Sequence, residues 1–233
     1  MVTGWQLTPY AIPALAATFA AIAMLALTYR RRHAPGAPAF TLLVAAIGVW
    51  SVFDAAILCA PDLPTKLLLT KFEYVGIVSA PLAWLLFAVR YCGQDRWLRG
   101  WRLPALAIVP ATTLVLTATL ERHRWIYESV RLVERDSTLV LAADYGIWFL
   151  IFSIYSYLLI AVATFLFLWT LSAAERAFRG QMIAVVVAPL LTLVGNAVYL
   201  SKLAAVPPID LTPVGFTLGM ILMSLALFRW HFF

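Results

Sequence analysis

Two acids, Asp54 and Glu73, stand inside long apolar stretches, where an uncompensated charge costs on the order of a few kcal/mol. Such residues mark places where chemistry, not packing, sets the side chain. Asp54 precedes Pro61 by seven residues, about 10 Å of helix, and Glu73 precedes Arg90 by 17, about 25 Å. Both fall near the same end of their helices. Asn196, Asp144 and Asp210 join them there, and the opposite half carries almost nothing comparable.

Helical spacing sets aromatic side chains beside these groups. Trp50 and Asp54 share a face at i, i+4, as do Glu73, Ile77, Ala80, Trp84 and Phe87, and Asp144, Trp148, Phe152 and Tyr155. Tyr74, Tyr145, Tyr157 and Tyr199 lie close by, and Lys71 and Lys202 stand as partners for some of the acids. A few carboxylates on aromatic walls have the general form of a small-molecule site, and they suit a cation, an amine or a small polar aromatic compound. The candidate ligand contacts are Trp50, Asp54, Glu73, Tyr74, Trp148, Tyr155, Asn196 and Asp210.

Plainer readings stand beside these. Asp144 and Asp210 occupy positions where helix N-caps belong. The Tyr and Trp residues near helix ends also fit an interfacial belt, and Asn196 also fits a hydrogen bond between two helices. Gly215 and Gly219 form a small-xxx-small pair, suited to a tight crossing within the bundle or to a dimer contact.

Several other chemistries lack their residues. A retinal Schiff base needs a lysine in the last span, and 211–228 contains none. Intramembrane zinc sites need embedded histidines, but His33, His123 and His231 all fall in loops or at ends, which also leaves a serine nucleophile without a base. No phosphate-binding glycine loop is present, and the third span ends Val89, Arg90, Tyr91 with no acid before the arginine. No metal, cofactor or catalytic residue is expected, so the chain is not expected to be an enzyme.

The elements that must carry these residues follow from composition. Of 233 residues, 64% are hydrophobic and only 12% charged, about half the charge of a soluble domain. With a mean hydropathy of +0.91, a polytopic, all-α integral membrane protein follows, placed in the cytoplasmic (inner) membrane. Seven apolar spans are expected, at 8–29, 40–60, 67–91, 103–120, 145–171, 182–200 and 211–228, separated by Pro- and Gly-bearing breaks. The first lacks a preceding basic residue and is too long for a cleaved signal, so it reads as a span. Of the 17 basic residues, ten fall in one set of alternate loops and seven in the other, where four share a loop with Glu121, Glu128, Glu134 and Asp136. By the positive-inside rule the N-terminus is outside and the C-terminus cytoplasmic. The net charge of +6 is thus a topology signal, not a nucleic-acid footprint. Cys59 and Cys92 fall at opposite ends of the bundle and cannot pair within one chain.

The long loop 121–144 is expected outside. Its alternation of Trp125, Tyr127, Val130 and Leu132, then the polar run Glu134 to Ser137, then Leu139 and Leu141, reads as a β-hairpin lid; a loop of no fixed shape is the alternative.

Taken in order, these features resemble the seven-helix N-terminal sensor region of bacterial and archaeal sensor histidine kinases. The resemblance is carried by Trp50; Phe72, Glu73 and Tyr74, followed by Pro81, Trp84, Phe87 and Tyr91; and His123. It continues in Tyr145, Gly146 and Tyr155; Arg179 and Gln181; Pro189 and Asn196; and Asp210, Thr212 and Pro213. It implies an input module that binds a small ligand in the outer half of the bundle, works as a homodimer and signals to a cytoplasmic PAS or kinase portion. That portion is expected outside this chain, in cis or in trans, because the sequence ends at Phe233. The signal is expected to pass along the last helix by way of Pro213, Arg229 and Trp230. A small transporter or channel using the same polar cluster is the alternative, and it would want a polar path inward and internal repeats, neither of which is visible.

Overall fold

The computed structural model describes residues 4–30, 36–135 and 138–173, with twelve separate positions at 187, 190, 193, 196, 212, 214, 215, 217–219, 221 and 222. Five α-helices of described bounds, three short 3-10 turns and one hairpin lie within them: α1 (Ile12–Arg30), α2 (Ala37–Cys59), α3 (Leu63–Tyr91), α4 (Arg102–Ala118), β1 (Tyr127–Arg135), β2 (Thr138–Tyr145) and α5 (Ile147–Ala173). Four stretches, Pro9–Arg30, Ala37–Cys59, Leu63–Tyr91 and Ile147–Thr170, are long and apolar enough to cross a bilayer, and Arg102–Ala118 is a shorter apolar helix. Their outer surfaces carry Phe19, Ile22, Leu158 and Phe165, each more than half exposed, as lipid-facing residues would be. The expected spans 182–200 and 211–228, with Asp210, Pro213, Arg229 and Trp230, fall wholly or largely outside the described residues.

Local chemistry explains where the helices begin. Asp62 caps α3 by accepting the Thr65 N–H at 2.8 Å, which holds its carboxyl below the usual carboxylate range, and Pro64 follows in the first turn. This cap starts α3 at Leu63, four residues before its apolar run, and so draws Lys66 into the helix. Gly36 precedes α2 with φ of 80°, a conformation that favours glycine, with its α-carbon facing the Phe87 ring.

The core is organised around α3, which packs against α2, α4 and α5, while α1 packs on α2. Gly76 is what lets α2 and α3 approach: a β-carbon there would lie 2.5 Å from the Ala46 carbonyl oxygen and the Trp50 nitrogen. Below this crossing, Phe87 gathers Phe40, Trp84, Tyr91 and Phe167 with ring centroids 5.3 to 6.0 Å apart. Above it, Tyr74, Val78, Leu120, Ile126 and Phe152 form a second cluster beneath the hairpin. Pro81, within α3, has no N–H for the Ile77 carbonyl, so the helix lacks one rung between the two clusters.

The strands pair antiparallel from Tyr127↔Tyr145 to Arg135↔Thr138, with a register shift between Tyr127 and Ser129. The strand alternation runs on through Asp144, which accepts from the Ser129 hydroxyl at 2.8 Å and lies 3.8 Å from Arg131. Asp144 is therefore a cross-strand residue within β2, and the position directly before α5 is held by Gly146, contrary to the capping reading. Gly146 joins the hairpin to α5 where space forbids a side chain, its β-carbon position being 2.5 Å from the Trp125 carbonyl oxygen. The Gly146 and Trp148 N–H groups donate back to Ile126 and Trp125, each at 2.8 Å. The N-terminal segment fastens the other side: Gln6 N–H donates to the Cys59 carbonyl at 3.1 Å, and the Thr8 and Thr138 hydroxyls share a hydrogen bond at 3.0 Å.

Lys71 pairs with Glu121 at 2.7 Å, joining α3 to the turn after α4. The hydrogen bond from Lys71 holds the Glu121 carboxyl below its ordinary value of 4.5. A lowered folded value means that the contribution is present above pH 4.5 and fades as the pH falls through the folded value. Because Glu121 is exposed, the pair stabilises by at most about 1 kcal/mol. Glu121→Gln is thus expected to lower the melting temperature by no more than roughly 4 °C at pH 7, and the difference is expected to be smaller at pH 3. Thermal unfolding of both proteins at the two pH values checks this.

Candidate functional site

A cavity of about 160 Å³ lies at the hairpin end of the bundle. Each wall follows from periodicity. On α2, Trp50, Asp54, Ile57 and Leu58 recur at i, i+4, i+7 and i+8; on α3, Lys66, Thr70, Glu73, Tyr74, Ile77 and Pro81 continue one stripe over four turns; on α5, Phe149, Phe152, Ser153, Ser156, Tyr157 and Ile160 do the same. Tyr127, Val140, Leu141 and Tyr145 of the hairpin form the roof, and Leu193, Asn196 and Thr212 complete the lining.

Three ionisable side chains meet this space with almost no exposure: Asp54 at 7%, Glu73 at 8% and Lys66 at 0%. Lys66 donates to the backbone carbonyl of Ile57, one turn from Asp54. Tyr74 and Tyr127 meet edge to face at 6.4 Å. Burial, with Tyr74 beside it, pushes the Tyr127 phenol well above its usual range, so the roof presents a neutral hydroxyl that donates as well as accepts. A polar chain leaves the cavity sideways: the Tyr157 hydroxyl donates to Asn196 Oδ1, and Asn196 Nδ2 donates to the Thr212 hydroxyl at 3.1 Å.

Of the candidate ligand contacts, Trp50, Asp54, Glu73, Tyr74 and Asn196 come together around this cavity. Trp148 and Tyr155 do not line it. Both turn to α4, where Trp148 Nε1 donates to the Thr113 hydroxyl at 3.0 Å and the Tyr155 hydroxyl donates to the Leu106 carbonyl at 2.7 Å. Asn196 makes the bridge of its interhelical reading, from Tyr157 to Thr212, and its place is at the edge of the cavity. Asp210, Pro213, Arg229 and Trp230 lie outside the described residues.

Lys66 is the residue that sequence reasoning missed, because its place before the apolar run makes it look like a loop charge. Its spacing to Thr70 and Glu73, at i, i+4 and i+7, was the available signal. His123 also takes a structural place, its Nδ1 accepting from the Trp125 N–H at 3.3 Å while Nε2 lies 3.0 Å from the Leu116 carbonyl at the end of α4. This pairing assigns the ring proton to Nε2.

An apolar helical bundle with four helices long and apolar enough to cross a bilayer, and with a mainly apolar cavity at one end that holds a few buried polar groups, defines the class as a membrane protein. From residue 13 to residue 233 the sequence matches the family described as the N-terminal 7TM region of histidine kinase, and the chain belongs to that family. No curated protein matches it.

Proposed function

We propose that this chain is the membrane input module of a two-component histidine kinase, with N-terminus outside, C-terminus cytoplasmic and its stimulus site in the cavity beneath the hairpin. The single observation that carries this reading is the burial of Asp54, Glu73 and Lys66 around one roofed space in a chain of this family. The hairpin end faces outside in this reading. The cationic end, with Arg96, Arg99 and Arg102 beside the exposed Trp97 and Trp101, lies at the cytoplasmic interface. Tyr157, Asn196 and Thr212 then join the cavity to the part of the chain that leads inward, and a ligand that favours one arrangement of these helices shifts the population reaching the kinase. A homodimer in the inner membrane, with a PAS or kinase portion as its output, belongs to the same proposal.

The test joins the chain at Phe233 to a histidine-kinase portion and follows autophosphorylation in membranes as small compounds are added. Output is expected to change with a compound that also raises the protein's melting temperature. Saturable proteoliposome uptake of that compound with unaltered autophosphorylation would support the transporter reading instead. Orientation is checked by labelling single cysteines with a membrane-impermeant maleimide, after both native cysteines are replaced by serine. Glu128→Cys, exposed on the hairpin, is expected to label in intact cells and Arg96→Cys only after lysis.

A further inference from the structure

The cavity has two unlike poles. At one, Lys66 is fully buried, and its ammonium makes a single hydrogen bond, to Ile57, among the described residues. An ammonium carries three N–H donors, so beyond the Ile57 carbonyl and the nearby Asp62 charge Lys66 has donors to offer an acceptor in the cavity. At the other pole Asp54 and Glu73, both more than nine-tenths buried, set two carboxyl groups beside the rings of Trp50 and Tyr74. Lys66 and Glu73 lie seven residues apart on one stripe of α3, about 10 Å along the axis.

We infer that the cavity takes a small zwitterion, its carboxylate accepting from Lys66 and its ammonium held by Asp54 and Glu73 against the aromatic faces. This deepens the sensory reading and rests on it only in taking the cavity as the stimulus site. A simple amine leaves the Lys66 donors unsatisfied, and a simple carboxylate meets two acids, so a molecule with both ends is preferred over either half. Size narrows the class. An apolar cavity of about 150 Å³ holds benzene, so about 160 Å³ admits a ligand of roughly six to ten non-hydrogen atoms. Amino acids with the ammonium several carbons from the carboxylate fit that size.

The test is calorimetric titration of the full chain in lipid nanodiscs with 5-aminopentanoate, pentylamine and pentanoate, followed by a panel of α-amino acids, ω-amino acids and betaines of similar size. At least one zwitterion is expected to bind about tenfold or more tightly than its matched amine and its matched carboxylate. Lys66→Gln is expected to cut the advantage over the amine to about twofold or less. Equal binding of amine and zwitterion, or no binding across the panel, overturns the inference. Should Lys66→Gln fail to fold, the three-way comparison in the native chain still decides. A bound zwitterion that is taken up by proteoliposomes without altering kinase output sinks the sensory reading and leaves this one standing. A kinase fusion that answers another stimulus while no zwitterion binds does the reverse.

Discussion

Gly76→Ala is expected to cost about 3 kcal/mol or more and to lower the melting temperature by roughly 10 °C. The added methyl would sit 2.5 Å from backbone atoms of α2 on two residues, Ala46 and Trp50, and backbone cannot swing aside as a side-chain tip can. Relief requires the two most extensively packed helices to separate, which would loosen the Phe40–Phe87–Trp84 cluster and the cavity wall together. Gly93→Ala is the control. Its φ of 67° brings backbone strain of about 1 kcal/mol, but nothing lies within 4 Å of the new atom. Thermal unfolding of both variants in the same detergent separates packing from strain, and a Gly76→Ala protein melting within a degree or two of the native chain would refute the crossing.

Replacing either acid of the cavity with its amide, Asp54→Asn or Glu73→Gln, is expected to raise the stimulus concentration for half-maximal kinase output about 10- to 100-fold, the loss of one charge-assisted contact. The amides keep shape and some hydrogen bonding, so melting temperatures should move little. Unchanged responses from both variants would remove the cavity from signalling, and the double variant would report whether the two acids act on one group, since losses at a shared contact do not add.

Much of this architecture was legible because α2, α3 and α5 are continuous apolar runs, and the hairpin because Tyr127 to Leu141 alternates. Boundaries failed where a short-range signal overrode composition. The Asp62 cap carries α3 back to Leu63 and takes Lys66 with it, while Gly146, not Asp144, divides strand from helix. For the site, Asp54 and Glu73 were visible as acids with no business in hydrocarbon unless engaged. Trp148 and Tyr155 show the limit of periodicity: it tells which residues share a face of α5 but not which neighbour that face meets, and here the neighbour is α4.

The roof is fastened at both ends of β2, by Gly146 at its root and by the Thr8–Thr138 bond at its tip. In the proposed sensory reading, loosening either fastening speeds exchange beneath the roof, so the residence time of a ligand there reports the motion of the hairpin as well as its own contacts.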